Sequence, residues 1–305
     1  MAIDDRRPTL SIGMPVRNGA KYLGHTLASL RAAELDDVEI LISDNGSTDE
    51  TADIVQSAST QDPRLRYVRQ PEDIGPAANF NYVFRHTTGK FFSWLAYDDL
   101  FAPTFYREMV GMLTNRPDAA AAMCRVRLID SSGSLLDHSD ELVDGDHPDP
   151  IERFIRYAGF AHWCQFCYAV ARRSAMEKTR LLGTFWSGDR LYCAELALAG
   201  PLLRHPETLY FVRQHTDRMT RRHSRRDRAA VSAYLTPRGS RAVTLHYSMQ
   251  LWESLERAAL SPEDKARGRR ALRAWMVRNS HRLARSAGRA ALESITKPFA
   301  HSGSE

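Results

Sequence analysis

From residue 9 onward, short apolar runs alternate with stretches in which apolar residues recur every three or four positions. TLSIGMPV (9–16), VEILIS (38–43), RLRYVRQ (64–70) and KFFSWLA (90–96) have the length and the β-branched or aromatic content of strands. Between them, residues 21–33 carry Tyr22, Leu23, Leu27 and Leu30 at helical spacing. TDETADIVQSA and residues 76–87 read as two further helices. Another is expected from about Pro103, because proline is favoured in the first helical turn. This β-α-β-α-β-α-β order with short connections predicts a mostly parallel sheet covered by helices on both faces. Ligands of such sheets lie outside the carboxyl ends of the strands. Here those ends read PVRNG, SDNGSTD and AYDD, so three polar clusters are expected to face one crevice.

Beyond residue 118 the pattern loosens. AAAMCRVRLID is a further strand, and residues 130–150, rich in Asp, Ser, Gly and Pro, form a loop or hairpin excursion. CQFCYAVAR (164–172) reads as a strand and GDRLYCAELALAG (188–200) as a helix closed by Gly200. LLRHP and TLYFVRQH are expected as two short strands. From about 216 the chain becomes a basic, loop-like run, TDRMTRRHSRRDR, followed by two helical segments. In the first, Leu245, Met249, Trp252 and Leu255 share a face; in the second, Leu272, Met276 and Leu283 do. The division is therefore a catalytic-sized unit over 1–215 and a basic helical extension over 216–305. No internal repeat is present.

Composition adds limits rather than detail. The 305 residues are 43% hydrophobic and 26% charged, as in ordinary soluble globular proteins. No apolar run reaches the length of a transmembrane helix, and the opening residues lack the apolar core of a signal peptide. Four cysteines make no disulfide framework, so a reducing cytoplasm is the expected location. Charge is uneven: residues 1–203 hold 21 Lys+Arg against 28 Asp+Glu, whereas 204–305 hold 21 against 9. Either the basic part meets an anion or it is a solvated helical tail. Its apolar stripes are expected to pack on the larger unit. Its surplus bases also suit peripheral contact with an anionic membrane, at the inner face of the bilayer.

The polar clusters carry the chemistry. In SDNGSTDE, Ser47 and Glu50 can form a capping box, which leaves Asp44 and Asn45 at a strand end to be explained. A fixed carboxylate at Asp44 suits the N–H edge of a nucleotide base. In MPVRNG, a proline stiffens the strand exit and Asn18-Gly19 turns the chain. Gly75 permits close backbone approach to a ligand, and Asn79 lies near a helix start. AYDD is the sharpest signal. Asp98 and Asp99 at a crevice-facing strand end suit Mg²⁺ or Mn²⁺, which keep open positions for phosphate oxygens. Against this stands a turn residue followed by an acid at a helix start. CQFC has zinc-like spacing without a second pair, and on a strand its two cysteines would face opposite ways, so packing is expected. No GxGxxG or P-loop follows the first strand, which argues against dinucleotide and P-loop enzymes. His215 ends a strand and is placed to join a metal held by Asp98.

In order and spacing, these segments resemble family 2 glycosyltransferases of the GT-A fold over roughly residues 8–215. SIGMPVRNGAKYLGHTLASL is similar to that family's opening strand-turn-helix and ILISDNGSTDET to its second strand. IGPAANFNYVFRHTTGKFFSWLAYDDLF resembles the run into its DxD motif, and GDRLYCAELALAG the late helix that carries its base. The resemblance implies a Rossmann-like, mostly parallel sheet flanked by helices. It implies that Pro15, Val16, Asp44 and Asn79 contact the nucleoside, with Arg17, Asn18 and Gly75 beside them. Asp98 would hold the cation, with His215 completing its shell, Asp99 would hold the donor sugar, and Asp189 would be the catalytic base. Ala96 stands where the family's first DxD acid would be, and QHTDRMTRRH is not a QxxRW motif, which points to transfer of a single sugar. The expected activity is inverting, metal-dependent transfer from a nucleotide-diphosphate sugar, a UDP-sugar foremost, to an acceptor hydroxyl, with no nucleic-acid partner. The alternatives are a sugar nucleotidyltransferase, for which PVRNGAKY lacks repeated glycines, and a non-catalytic module binding polyanions or membranes.

Overall fold

The computed structural model describes residues 7–136, 143–159, 163–185, 187–216 and 243–285. Its first third follows the expected alternation. β1 (Leu10–Val16), β2 (Val38–Asp44), β3 (Leu65–Arg69) and β4 (Phe91–Trp94) are joined by α1 (Ala20–Ala32), α2 (Thr51–Gln61) and α3 (Pro76–Arg85). Every residue of β1 and β4 is buried, as apolar strands covered on both faces must be. β5 (Leu100–Phe101), α4 (Phe105–Asn115) and β6 (Ala121–Ile129) follow. Helix α4 begins after Thr104, so Pro103 lies just ahead of it rather than inside its first turn.

Among the described residues the eight strands form one sheet in the order β3-β2-β1-β4-β7-β6-β8-β5, where β7 is Val170–Arg172 and β8 is Leu202–Arg213. β1 runs parallel to β2 and β4, β2 to β3, and β6 to β8. β7 and β5 run antiparallel to their neighbours. The chain moves outward from β1 to β3 and then returns to β4 on the other side of β1. That reversal opens a crevice at the carboxyl ends of β1 and β4.

Three local expectations change, and one helix is added. Helix α5 (Pro150–Ala158) follows the loop expected over 130–150, in a stretch for which no element was expected; Asp149 accepts the Ile151 N–H at 2.8 Å and Pro150 opens the first turn. Its sequence signal is an Asp-Pro step followed by Ile151, Phe154, Tyr157 and Ala158, all buried. CQFC is not strand. Gln165–Tyr168 is a 3-10 turn, and Cys167 Sγ lies 3.9 Å from Cys193 Sγ in a packed interior. The two strands expected over 202–215 are one, β8, whose register against β6 slips beside Pro206. Proline has no N–H for the ladder, and a bulge absorbs the defect.

The last change concerns the extension, described as α8 (Val243–Arg257) and α9 (Pro262–Arg278), which follow α6 (Arg173–Met176) and α7 (Gly188–Ala199). The expected stripe on α8 is rotated: Tyr247, Leu251 and Leu255 are buried with Ser248 and Ser254, while Leu245 and Met249 are exposed. The cause is polar. Ser254 Oγ donates to Glu195 Oε1 at 2.7 Å and receives an Arg180 N–H at 2.6 Å, and Tyr247 donates to the Ala158 carbonyl at 3.1 Å. The buried Glu195, paired with the half-buried Arg180, thus chooses the inward face. On α9, Leu272 and Trp275 are buried beside Gly268, and Met276 is half-buried. The basic run 217–242 lies outside the described residues. No helix among the described residues is long and apolar enough to cross a membrane.

Candidate active site

β1 and β2 end side by side, with Val16 opposite Asp44. Asn18 turns the chain there at φ +50°, a left-handed conformation that asparagine tolerates. Its Oδ1 accepts the Thr48 N–H at 2.9 Å, and its own N–H donates to Ser47 Oγ at 2.9 Å. Ser47 therefore stitches two loops together instead of forming the expected capping box with Glu50. Helix α2 begins after Glu50 with no side-chain cap, and just ahead of it Asp49 Oδ1 accepts the Thr51 N–H at 3.1 Å.

Asp44 is wholly buried. Its Oδ1 accepts the Ser47 N–H and its Oδ2 the Tyr67 hydroxyl, both at 2.8 Å. Burial, helped by the bond to Asp44, pushes the Tyr67 phenol up to about 12, so it remains a donor. Asn79 bolts α3 to β2, accepting the Ser43 hydroxyl at 2.6 Å and donating to the Ser43 carbonyl at 2.9 Å. Its amide, expected against a nucleoside, is committed to the scaffold. Asp73 joins the rim, receiving Arg17 Nε at 3.2 Å, Asn45 Nδ2 at 2.6 Å and the Gly75 N–H at 3.0 Å. Gly75 has φ +90°, and the space where a Cβ would stand is open. Pro15, Val16, Arg17, Asn18, Asp44 and Gly75 thus gather at the ends of β1, β2 and the start of α3.

The second half of the crevice joins β4 to β8. These parallel-running strands finish at the same edge, so Asp98, four residues past β4, meets His215, two past β8. His215 Nε2 lies 2.8 Å from Asp98 Oδ2, and both side chains are buried. The neighbouring Asp99 points into the scaffold. Its Oδ1 accepts the Arg213 N–H at 2.9 Å and its Oδ2 the Tyr210 hydroxyl at 3.1 Å. Its carboxylate, expected on the donor sugar, ties the AYDD turn to β8.

Arg213 is the residue that sequence reasoning missed. Fully buried, it donates Nε to the Asp98 carbonyl at 2.9 Å and one terminal nitrogen to the Asp130 and Ser131 carbonyls at 3.3 and 3.2 Å. Its guanidinium lies 5.0 Å from the Tyr22 ring centre, and Tyr22 in turn packs against the His215 ring at 4.6 Å. The available signal was a cation directly after the apolar LYFV. Six buried polar side-chain atoms among the described residues lack a hydrogen-bond partner. Three of them, Tyr22 Oη, Gln214 Nε2 and His215 Nδ1, come from residues around this pair. Buried polar groups are normally satisfied, which singles out this cluster as a candidate site.

The donor set fits a divalent cation. The 2.8 Å between Asp98 Oδ2 and His215 Nε2 is a hydrogen bond, and a carboxylate and an imidazole are also donors that a divalent cation accepts. No group of three or more acids, histidines or cysteines converges as a metal site among the described residues. Two protein ligands suit an ion whose remaining positions go to phosphate oxygens. Ala96 is buried and contributes no donor.

Asp189 stands in the first turn of α7, exposed, with its Oδ1 on the Arg190 N–H at 2.7 Å. The Asp189 carbonyl meets Cys167 Sγ at 3.5 Å, in the 3-10 turn whose Tyr168 carbonyl receives the Ser93 hydroxyl of β4 at 3.3 Å. Asp189 is therefore on the same edge of the sheet as Asp98. Glu195, the other acid of α7, is buried and taken by Arg180.

Known proteins share this framework. The sequence model for "Glycosyl transferase family 2" matches residues 11–180, more than half of the 305. A Rickettsia felis protein described as an uncharacterized glycosyltransferase is 31% identical over 132 residues, covering 42% of this chain and 21% of its own. A Campylobacter jejuni GalNAc(5)-diNAcBac-PP-undecaprenol beta-1,3-glucosyltransferase is 32% identical over 93 residues, 30% of each chain. Escherichia coli chondroitin synthase is 30% identical over 132 residues, 43% of this chain and 19% of its own. This chain thus spans less than half the length of these relatives. Among solved structures, S. aureus TarS 1–349 with UDP-GlcNAc superposes at a TM-score of 0.65 and 14% identity, over 89% of this chain and 72% of that one. Mannosyltransferase PcManGT from Pyrobaculum calidifontis, with GDP-Man and Mn²⁺, does so at 0.56 and 17%, over 98% and 77%. At such identity these two speak for a shared fold. Matched from β1 through the AYDD turn and beyond, the chain belongs to glycosyl transferase family 2.

Proposed function

We propose that this protein transfers a single sugar, with inversion, from a nucleotide-diphosphate sugar to an acceptor hydroxyl in a cation-dependent reaction. The observation that carries the reading is the buried Asp98–His215 pair at the carboxyl ends of β4 and β8, ringed by unpartnered polar atoms. Family membership favours transfer over nucleotidylation. The neighbour that binds UDP-GlcNAc and the one that binds GDP-Man with Mn²⁺ support a sugar-nucleotide donor and a divalent ion, Mn²⁺ or Mg²⁺. UDP is the nucleotide we assign to the donor.

In this reading the nucleoside lies over the ends of β1 and β2. Pro15 and Val16 supply an apolar edge, and Asp44, held by Tyr67 and Ser47, retains acceptor capacity for a base N–H. Arg17 and the open backbone at Gly75 border the diphosphate. Asp98 and His215 would hold the cation, which would supply positive charge against the diphosphate. The acceptor oxygen attacks C1 from the face opposite the diphosphate. The O–C1 bond forms as the C1–phosphate oxygen bond breaks, and inversion follows from that single displacement. Asp189 takes the hydroxyl proton. Asp99 and Asn79 act one step removed, fixing the turns that carry the contacts. The acceptor is a saccharide or lipid-linked hydroxyl; the Campylobacter relative is named for an undecaprenol-linked one.

Thermal unfolding with UDP-, dTDP- and GDP-sugars, with and without Mn²⁺, tests the proposal. A ligand that binds only the folded state raises the midpoint. UDP-sugars should do so in the presence of the cation, and Asp98→Asn should abolish that dependence. Unchanged cation-dependent binding in Asp98→Asn would overturn the assignment.

A further inference from the structure

The rotation of α8 leaves an unusual surface. Leu245 and Met249 are 43% and 55% exposed, and Trp252, one turn on, is half-buried. These three repeat at four and three residues and so form one ridge. Helix α9 runs antiparallel beside it, with Arg269 on Glu256 at 2.6 Å and the Arg273 guanidinium 5.7 Å from the Trp252 ring centre. One turn further, the same register brings Met276 and Val277 alongside Met249. Val277 is 72% exposed. Two adjacent helices thus present the exposed Leu245, Met249 and Val277, beside Trp252 and Met276, which are half-buried and also pack against the core. Beside them are the exposed Arg270 and Arg273, with which no carboxylate among the described residues pairs.

We propose that this α8–α9 face is a docking surface for an anionic lipid bilayer, lying in the headgroup plane without crossing it. An apolar ridge edged by unpaired arginines is the composition that binds the interface, where the side chains enter the acyl boundary and the guanidiniums meet phosphates. A tryptophan at the boundary of the two zones adds to the match. A second copy of the chain fits less well. An isologous dimer through this face would bring both copies of Arg270 and Arg273 into one interface, and like charges concentrated at an interface are costly. The inference goes beyond the transfer reaction and stands without it.

The test uses the full chain with sedimented vesicles of phosphatidylcholine alone or mixed equally with phosphatidylglycerol. The protein should partition to the anionic vesicles, with Trp252 emission shifting to the blue; Trp252→Phe identifies that signal. Met249→Ser with Val277→Ser should weaken partitioning roughly tenfold or more, since each removes an inserting apolar group. Arg270→Glu with Arg273→Glu should do the same and flatten the lipid-charge dependence. All four positions are exposed or at the surface, so unchanged thermal midpoints should accompany the loss. Equal partitioning of wild type and both double variants would overturn the proposal, because the basic run 217–242 would then account for any binding. Concentration-dependent dimerisation abolished by Met249→Ser, without lipid binding, would assign the face to a second copy instead.

Discussion

The arginine at 213 shows how one side chain can decide a site. It links the AYDD turn, the 130–131 loop and β8 through three carbonyls and stacks on Tyr22 beside His215. Removing the guanidinium strands those acceptors in the interior. Arg213→Met should therefore cost about 3 kcal/mol in urea unfolding, and cation-dependent donor binding should weaken in the protein that still folds. Arg213→Lys should recover little, because an ammonium lacks the planar fork that reaches carbonyls on two loops. Asp189 makes the opposite case. It is exposed and bonded to the N–H of its own neighbour, so its loss should leave the fold intact. If it is the base, Asp189→Asn should retain donor affinity while kcat falls on the order of 10²–10⁴-fold. Near-normal turnover would remove it from the mechanism, and lost donor affinity would make it a binding residue.

Elements succeed or fail by whether their neighbours allow them. β3, at the sheet edge, was legible through its alternation of Leu65, Tyr67 and arginines, and β1, β2 and β4 because each is a mostly apolar run between turn residues. A parallel strand covered on both faces requires that pattern. Gly13 shows how tightly that layer is packed: a Cβ there would stand 2.5 Å from Val83 Cγ2 on α3 and 2.7 Å from Phe92 Cζ on β4. Gly13→Ala should accordingly lower stability by about 1–3 kcal/mol, the usual cost of overpacking, measured as a shift of the unfolding midpoint. β5 is two residues long and exists through its pairing with Phe211 and Tyr210, so no local signal could announce it. The stripe on α8 was misplaced for a related reason. Apolar spacing proposes several faces on a helix, and the Arg180–Glu195–Ser254 hydrogen bonds select one of them.

For the whole molecule, the sequence by itself determined the order of the first four strands and the helices between them, the parallel half-sheet they form and the polarity of its crevice. Periodicity, turn residues and strand-end polarity are local, and they are written in consecutive residues. It also carried the family resemblance, which the match over residues 11–180 bears out. Tertiary structure alone decided the rest. The pairing of Asp98 with His215 spans 117 positions and depends on β4 and β8 ending at the same edge of one sheet. The inward turn of Asp99 and the use of Asn79 as a bolt depend on what lies opposite each: Arg213 and Tyr210 in one case, Ser43 in the other. AYDD shows two equivalent acids to a reader of the sequence. The packing of β8 makes one of them scaffold and leaves the other facing His215, because only the fold sets which side of the turn each carboxylate occupies.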